Sequence, residues 1–430
     1  MSLQHGIRAN LAQFLHQLLQ VLLVGMTIGM MRTVVPALAE DEFDLPRGSF
    51  LLLVSFVVAF GVVKAALNLA AGSLSDRYGR RQVLLAGWLA AVPVPWMVWH
   101  APDWSWIIAA TVLLGVNQGL TWSMTQTAKL DLGHFQQRGL AIGLNECAGY
   151  GGVAAAGIAT AILATHYGAR DALLVFGYTV IGLALALTLA WVRDTRPWAR
   201  AETTMQREGA TAHARYPTVI RDHPCTREVF AVVSWRDARL AALCQAGLVE
   251  KFVDALVWAV LPAYLYARNV PLPEIGWIVA VYGFTWGASQ LITGPLSDRI
   301  GRQRPNVWGM WICGAGVALI PLADDVAAWS LCAGIVGLGM ALLYPNLLAA
   351  VADISRPEWR GTAVGTYRFW RDFGYAVGAA GLGLAAQLVG DVTAAFWFVA
   401  ISMFGSGALL YWLGEETHPG LNPAPTSPRP

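Results

Sequence analysis

Long apolar runs separated by short polar segments recur along the whole chain. Each run approaches or exceeds the roughly 20 apolar residues that cross a bilayer as a helix, and is far longer than a membrane strand of about 10 residues. None alternates strictly between apolar and polar positions, as a membrane strand would. The pattern therefore predicts twelve transmembrane helices, over residues 11–39, 49–75, 83–101, 105–128, 139–165, 171–192, 238–267, 275–297, 305–322, 327–352, 361–389 and 392–413.

The polar segments divide the chain into two halves. The longest of them, 193–237, is rich in Arg and Pro. It predicts a solvated cytoplasmic linker between an N-terminal six-helix bundle, 1–192, and a C-terminal six-helix bundle, 238–414. The last segment, 415–430, is Pro-rich and is predicted to be a disordered cytoplasmic tail.

The distribution of basic residues predicts the orientation of these helices. If the N-terminus is cytoplasmic, the cytoplasmic segments hold 21 Lys and Arg, with Arg239 at the edge of the seventh span counted among them, and the opposite side holds three. Basic residues concentrate on the cytoplasmic side of membrane proteins, so both termini are predicted to be cytoplasmic. We expect a multi-pass protein of the plasma membrane, and a bacterial inner membrane is the expected location.

The composition excludes several classes of protein. Charged residues make up 13% of the chain, against about 25% in soluble domains. This excludes a cytosolic enzyme, a disordered chain and a nucleic-acid-binding domain. The five cysteines are scattered and form neither a disulfide framework nor a metal pattern. The chain has no Walker A, HExxH or nucleophile-elbow motif, so we expect no enzyme activity, no cofactor and no metal ion.

An internal repeat relates the two halves. The segment Gly72–Arg81, GSLSDRYGRR, recurs as Gly294–Gln303, GPLSDRIGRQ. The segment Arg138–Gly143, RGLAIG, recurs at the same offset as Arg360–Gly365, RGTAVG. A constant offset between such widely separated segments indicates two homologous halves.

The repeated loop resembles the signature of the major facilitator superfamily, G-x-x-x-D-R-x-G-R. The resemblance implies an all-α integral membrane fold, with twelve helices in two pseudo-symmetric six-helix bundles and a binding site between them at mid-membrane. It also implies alternating access by rocking of the halves. The gating motif would comprise Gly72, Asp76, Arg77, Gly79 and Arg80, with Gly294, Asp298, Arg299, Gly301 and Arg302 as its copy.

The resemblance further implies what the motif contacts. Asp76 and its arginines would hold the start of the eleventh helix when the cytoplasmic side is closed. Asp298 and Arg299 would do the same at the start of the fifth helix. A carboxylate is stabilised at such a position because a helix N-terminus presents free N–H groups and a positive dipole end.

Ionisable residues inside the predicted spans are the strongest indication of function. Each would cost roughly 2.5–3.5 kcal/mol if it faced lipid, so they are expected to face protein or a wet cavity near mid-membrane. They lie on the first, second, fifth, seventh and eleventh spans, and the resemblance implies that these helices line a central cavity. The nine residues are Arg32, Lys64, Glu146, Glu250, Lys251, Asp254, Arg368, Arg371 and Asp372.

Spacing along the helices suggests pairs among these charges. Glu250 and Asp254 are four positions apart on one helix face, with Lys251 three positions before Asp254. Two carboxylates this close should hold one proton more tightly than usual, unless Lys251 or Arg32 compensates. Asp372 could neutralise Arg368 or Arg371. An ion pair between Arg32 and Asp254, which occupy equivalent positions in the repeat, is a further hypothesis. Either the set is a static network or some charges exchange partners. The proton-coupling candidates are Asp254, Glu250, Glu146 and Asp372.

Five basic against four acidic residues within the spans favour an anionic or zwitterionic solute. Nearby polar and aromatic side chains could contact this solute, although such groups also form hydrogen bonds between membrane helices. The substrate-binding candidates are Arg32, Lys64, Asn117, Gln118, Trp122, Asn145, Lys251, Tyr344, Tyr367, Arg368 and Arg371.

The expected function is secondary active transport of a small anionic or zwitterionic solute, coupled to protons. Export of amphipathic drugs against protons is one alternative. The drug-antiporter pattern places an Arg where this chain has Gly115, and a Pro in the fifth span, where this chain has none. A membrane sensor or scaffold that transports nothing is the other alternative. The expected partners are a small-molecule solute, protons and the lipid bilayer, with no nucleic acid, and the expected functional state is a monomer.

Overall fold

The structure is a computed structural model that describes residues 3–42, 50–208, 216–217 and 224–422. Side chains from 32 to 59 lie outside the described part, and the predicted site residue Arg32 is among them. Within the described ranges the chain consists of helices and connecting loops, without strands. The prediction of an all-helical membrane fold is confirmed.

The N-terminal half contains seven α-helices among its described residues. Asp103 begins one of them by accepting a hydrogen bond from Ser105 N at 2.8 Å, which satisfies an N–H that the first turn leaves unpaired. The third predicted span is two consecutive helices, because Pro93 interrupts the hydrogen-bond ladder. The helices are α1 (Leu11–Glu42), α2 (Phe50–Tyr78), α3 (Arg80–Ala91), α4 (Pro93–Trp99), α5 (Trp104–Leu132), α6 (Arg138–Tyr167) and α7 (Ala169–Ala190).

The linker and the C-terminal half continue the helical pattern. Asp237 and Asp325 cap two of the helices, as Asp103 does in the first half. A π-helical turn, Leu256–Val260, divides the seventh predicted span. The helices are α8 (Arg196–Arg207), α9 (Thr226–Ala231), α10 (Ala238–Ala255), α11 (Leu261–Ala267), α12 (Leu272–Ile300), α13 (Gln303–Leu319), α14 (Val326–Asp353), α15 (Arg360–Val389) and α16 (Thr393–Leu413).

Within the described residues, ten helical segments are long and apolar enough to cross a membrane. The other two predicted spans also fall on helical chain. Span 49–75 corresponds to α2, and span 238–267 is divided among α10, the π-helical turn and α11. The total of twelve crossings therefore stays a prediction.

Glycines form two equivalent seams where the halves meet. A Cβ on Gly72 of α2 would overlap the carbonyl oxygen of Gly361 on α15. A Cβ on Gly139 of α6 would overlap the carbonyl oxygen of Gly294 on α12. Small residues let membrane helices approach this closely. The two seams, α2 with α15 and α6 with α12, are related by the internal repeat.

The segments predicted to be a solvated linker and a disordered tail are partly ordered, which corrects those predictions. The linker contains α8, whose Glu202 is only 9% exposed. Asp194 accepts from Arg80 N at 3.0 Å, and Glu416, its equivalent in the repeat, accepts from Arg302 N at 2.9 Å. Carboxylates on both segments are thus drawn to helix N-termini and buried arginines. Residues 423–430 of the tail lie outside the described chain.

Candidate functional site

The first charged layer, here called the motif layer, surrounds the repeated loops. It comprises Asp76, Arg80, Asp131 and Arg138, their equivalents Asp298, Arg302, Asp353 and Arg360, and Glu202 of α8. Gly79 and Gly301, the motif glycines, end the preceding helices with φ of 112° and 94°. A residue with a side chain would be strained in that conformation.

The two motif aspartates bind helix N-termini of the opposite half. Asp76 accepts from Thr362 N at 2.7 Å and from Thr362 Oγ1 at 2.8 Å, in the first turn of α15. Asp298 accepts from Gly139 N and Leu140 N, both at 2.9 Å, in the first turn of α6. These are the contacts that the family resemblance implies. They hold the halves together on the side of the motif loops.

The predicted motif contains two arginines in each copy, and the ones that complete these contacts are Arg80 and Arg302. Arg80 and Arg302 are buried, and they pair with Asp76 and Asp298 at 2.9 and 2.7 Å. Arg80 Nε also contacts Asp131 at 2.9 Å, and Arg302 Nε makes the equivalent bond to Asp353 at 3.0 Å. By contrast, Arg77 packs over the ring of Tyr78. Burial places Arg80 and Arg302 between two carboxylates each, which adjacent sequence positions cannot reveal.

Glu202 was not predicted as a site residue. Its carboxylate accepts from Arg138 Nη2 at 2.9 Å and from both terminal nitrogens of Arg360 at 2.8 and 2.9 Å. Burial by itself would raise the pKa of Glu202, but the charges of Arg360 and Arg138 outweigh it and lower the pKa to about 2. Glu202 therefore stays ionised and binds one arginine of each half.

The second charged layer, here called the central layer, contains the buried charges of the membrane spans. One group forms around Lys251, whose Nζ lies 2.6 Å from Asp254 Oδ2. Asp254 also accepts from the hydroxyls of Tyr282 at 2.7 Å and Tyr375 at 3.2 Å. Lys251 Nζ is 3.3 Å from Glu250 Oε1, an ion-pair distance without a well-directed hydrogen bond. Lys251 thus separates the two carboxylates that the sequence suggested would share a proton, and it is the partner of Asp254.

A second group forms around Asp372. Its Oδ1 accepts from Arg371 Nε at 3.0 Å and Arg371 Nη2 at 2.9 Å. Its Oδ2 accepts from Asn68 at 2.7 Å and lies 3.5 Å from Lys64. Arg368 is farther away, at 3.8 Å. Of the two arginines proposed from spacing, Arg371 is therefore the close partner.

A third group forms around Glu146. A single oxygen, Oε1, accepts from Trp122 Nε1 at 3.0 Å, Gln126 Nε2 at 2.5 Å and Asn145 Nδ2 at 2.7 Å. The other oxygen, Oε2, has no hydrogen-bond partner among the described residues. The amide oxygen of Gln126 accepts from Arg368 Nη1. Gln126 thus links a carboxylate of the N-terminal half to a guanidinium of the C-terminal half.

Lys129 is a buried lysine that the sequence pattern did not single out. Its Nζ donates to Asn145 Oδ1 at 2.7 Å and to the carbonyl oxygens of Gln17 and Thr125 at 2.9 and 3.2 Å. The fourth predicted span ended at residue 128, whereas α5 continues to Leu132. A helix end placed one turn too early therefore put Lys129 in a loop.

The remaining predicted binding residues separate into two sets. Asn117 donates to Gly87 O, and Gln118 donates to Val24 O, both at 2.9 Å, so each holds neighbouring helices together. Tyr344 lies in the central layer, with Lys251 Nζ and the Arg371 guanidinium each 4.6 Å from its ring centre. The hydroxyl of the buried Tyr367 has no hydrogen-bond partner within the described chain.

This arrangement can bind an anion and hold a proton at mid-membrane. Buried cations provide attraction that water does not screen, and a carboxylate with one unpartnered oxygen provides a place for a proton. In the described ranges, no group of three His, Cys, Asp or Glu side chains is placed to hold a metal ion.

Comparison with known proteins identifies the family to which this architecture belongs. Residues 18–249 and 243–430 match the family model of the Major Facilitator Superfamily. An uncharacterized MFS-type transporter of Salmonella typhimurium is 23% identical over 419 residues, covering 94% of this chain and 95% of that protein. A probable 4-methylmuconolactone transporter of Cupriavidus pinatubonensis is 25% identical over 401 residues, covering 86% and 87%.

The fold agrees with these matches. The crystal structure of the human organic anion transporter MFSD10 (TETRAN) superposes with a TM-score of 0.75 at 17% identity, covering 93% of this chain and 99% of that one. The family and these relatives are transporters rather than enzymes, as the sequence predicted for this chain. The chain therefore belongs to the major facilitator superfamily and is a multi-pass membrane transporter.

Proposed function

We propose that the protein moves a small anionic or zwitterionic solute together with protons, by alternating access between two six-helix bundles. The proposal includes twelve membrane crossings, cytoplasmic termini, a bacterial inner-membrane location and a functional monomer. The excess of Lys and Arg in the segments assigned to the cytoplasm supports this orientation. With this orientation, the motif layer closes the cytoplasmic side.

The observation that carries the proposal is the link from Glu146 through Gln126 to Arg368. It joins an acid of one half to a base of the other half through a single amide. Glu146 is fully buried and receives its hydrogen bonds from neutral donors. Protonation at its unpartnered oxygen would leave these three bonds in place.

Charge balance explains why a proton and an anion would bind together. With Glu146 ionised, its charge and that of Arg368 cancel, so an arriving anion would leave one uncompensated negative charge in a medium of low dielectric constant. Protonation of Glu146 removes that excess. Each ligand therefore favours the other, because the linkage between two binding events is reciprocal.

The other buried carboxylates are less suited to this role. Asp254 is paired with Lys251, and Asp372 is paired with Arg371 and Lys64. Protonating either would leave a buried cation without its partner, which is unfavourable. Glu250, beside Lys251, is the second candidate for coupling. The names of two related proteins, an organic anion transporter and a probable 4-methylmuconolactone transporter, are compatible with a small organic anion as the solute.

The test is transport by purified protein in proteoliposomes, using solutes that raise its melting temperature in a screen of metabolites and drugs. An imposed proton gradient should drive accumulation, and a protonophore should abolish it. Glu146→Gln, which mimics the protonated acid, should lose driven accumulation, retain exchange of solute across the membrane, and bind solute with an affinity that no longer depends on pH.

Two further variants serve as controls. Glu274→Gln changes an exposed glutamate at the start of α12 and should transport as the wild type does. Glu250→Gln should retain coupling; if it alone uncouples transport, Glu250 is the proton carrier. Accumulation that ignores the proton gradient would contradict coupling. Export of amphipathic cations would support drug antiport, and the absence of any flux would support a sensor or scaffold.

A further inference from the structure

Arg368 differs from the other buried arginine of the central layer in the use of its guanidinium. Its side chain is fully buried on α15, and Nη1 donates to the Gln126 amide. Its Nε and Nη2 have no hydrogen-bond acceptor among the described residues. Asp372 Oδ2 is 3.8 Å from Nη2, which is too long for a hydrogen bond.

These two nitrogens form the edge that arginine uses to bind a carboxylate. The N–H bonds of Nε and Nη2 point in nearly parallel directions from one side of the planar group, and two carboxylate oxygens match their spacing. Leaving buried donors unpaired is unfavourable, and more so when the donor is charged. The edge therefore favours an acceptor that the described part of the chain does not supply.

Arg371, on the next turn of the same helix, shows the contrast. Its Nε and Nη2 both donate to Asp372 Oδ1, at 3.0 and 2.9 Å. The same edge that is unpaired on Arg368 is thus satisfied within the protein on Arg371. Arg371 is a structural partner of Asp372, and Arg368 is the arginine available to a solute.

The number of negative charges follows from the neighbouring carboxylate. Arg368 and Glu146 together carry no net charge, and one proton on Glu146 offsets one incoming negative charge. A solute with two negative charges would leave one of them uncompensated by this pair. The geometry of the edge and the charge of the Arg368–Glu146 pair thus favour the same kind of ligand, one that carries a single carboxylate.

We propose that the solute is an organic anion with a single carboxylate, whose two oxygens accept from Nε and Nη2 of Arg368 while Gln126 holds the guanidinium from its opposite edge. This inference rests on the proposed function and specifies its substrate class and receptor. A phosphate ester, a neutral sugar and an organic cation do not match both the edge and the charge.

The experiment measures the melting temperature of the purified protein with benzoate, cyclohexanecarboxylate and lactate, each beside its amide. Glycerol 3-phosphate and choline represent a dianion and a cation. At least one carboxylate should stabilise the protein, and its amide should not. Arg368→Lys keeps the charge but loses the parallel edge, and should weaken carboxylate binding by about tenfold or more. Arg170→Lys, a matched change at an arginine that donates to the carbonyl oxygens of Trp99 and Ala101, should leave binding unchanged.

Several outcomes would overturn the inference. They are stabilisation by none of the carboxylates, equal stabilisation by acid and amide, preference for the dianion or the cation, and wild-type binding by Arg368→Lys. Loss of binding in Arg371→Lys but not in Arg368→Lys would show that Arg371 is the receptor instead. Measuring uptake of the carboxylate that stabilises the protein distinguishes failure of this inference from failure of the proposed function. Arg368-dependent binding without proton-driven uptake contradicts coupling alone, and proton-driven uptake of a neutral or cationic solute contradicts the carboxylate class alone.

Discussion

The motif layer and the central layer use the same acidic and basic residue types but differ in how completely those residues are paired. In the motif layer, Asp76 and Asp298 each bind a helix N-terminus and an arginine. In the central layer, one oxygen of Glu146 and two nitrogens of Arg368 have no hydrogen-bond partner among the described residues. Paired charges hold one arrangement of the two halves, whereas unpaired ones can respond to a solute or a proton.

Glu202 makes the pairing of the motif layer asymmetric. Arg138 is 2.7 Å from Asp353, but the equivalent pair, Arg360 and Asp131, is 3.7 Å apart. Glu202 accounts for the difference because it binds both terminal nitrogens of Arg360. The linker therefore forms part of the closed layer. It must release at least one of these arginines before the halves can separate on this side.

Of the changes that test this difference between the two layers, Glu202→Gln is expected to have the largest effect on closure of the motif layer. Removing the charge leaves two buried guanidinium groups less well compensated, which costs up to about 3–5 kcal/mol and favours separation of the halves. A cysteine replacing Ser75, which is buried in the α2–α15 seam, should then react faster with a maleimide. Labelling is measured on purified protein that lacks the native cysteines.

Glu208→Gln is the matched control, because Glu208 is exposed beside the end of α8. It should leave the labelling rate unchanged. If Glu202→Gln also leaves the rate unchanged, the linker carboxylate does not hold the layer closed, and the motif contacts alone do so.

A smaller effect is expected from Gly72→Ala. The added Cβ would overlap the carbonyl oxygen of Gly361, so α2 and α15 must move apart at a cost of about 1–3 kcal/mol. Thermal unfolding should show a lower melting temperature, and the Ser75 cysteine should label faster. Gly151→Ala on α6, where nothing lies within 4 Å of the added Cβ, should do neither. Equal melting temperatures for the two variants would contradict the tight seam.

The smallest effect is expected from pH on the motif layer. The pKa of Glu202 is about 2, below its ordinary 4.5, so the stabilisation from its ion pairs is complete above about pH 4.5 and is lost as the pH falls towards 2. His134 lies nearby, and burial together with the charge of Arg138 lowers its pKa. The ratio of the Ser75→Cys labelling rates with and without Glu202→Gln should therefore stay constant across roughly pH 5–8. A transition in that ratio within this range would contradict the assignment.

Particular residues show how far the sequence could predict the site. The repeat predicted Asp76 and Asp298 because their spacing from glycine and arginine is the same in both halves. It identified Arg138 and Arg360 as equivalent positions but could not show that both contact Glu202, since α8 has no counterpart among the described residues of the C-terminal half. Lys129 was missed because hydropathy places helix ends only to within several residues.

The spacing of residues along a helix predicted the pairing of the buried charges least well. Residues four apart share a helix face, which made Glu250 and Asp254 a reasonable pair. The structure places Lys251, one of the two compensating cations that the sequence suggested, against Asp254 together with Tyr282 and Tyr375. The two tyrosines come from other helices, α12 and α15, so helical periodicity within α10 carries no information about them.

The sequence by itself determined that this is a helical membrane protein of two homologous halves, with ionisable residues buried at mid-membrane. Apolar runs of sufficient length, a constant repeat offset and charges placed within apolar runs can all be recognised from the order of residues along the chain. Only the tertiary structure decided which charges are satisfied. Arg371 and Arg368 lie one turn apart on one helix, yet the first binds Asp372 with the same edge that the second leaves unpaired. That distinction depends on groups of the other half, because Asn68 and Lys64 hold Asp372 while Gln126 holds Arg368.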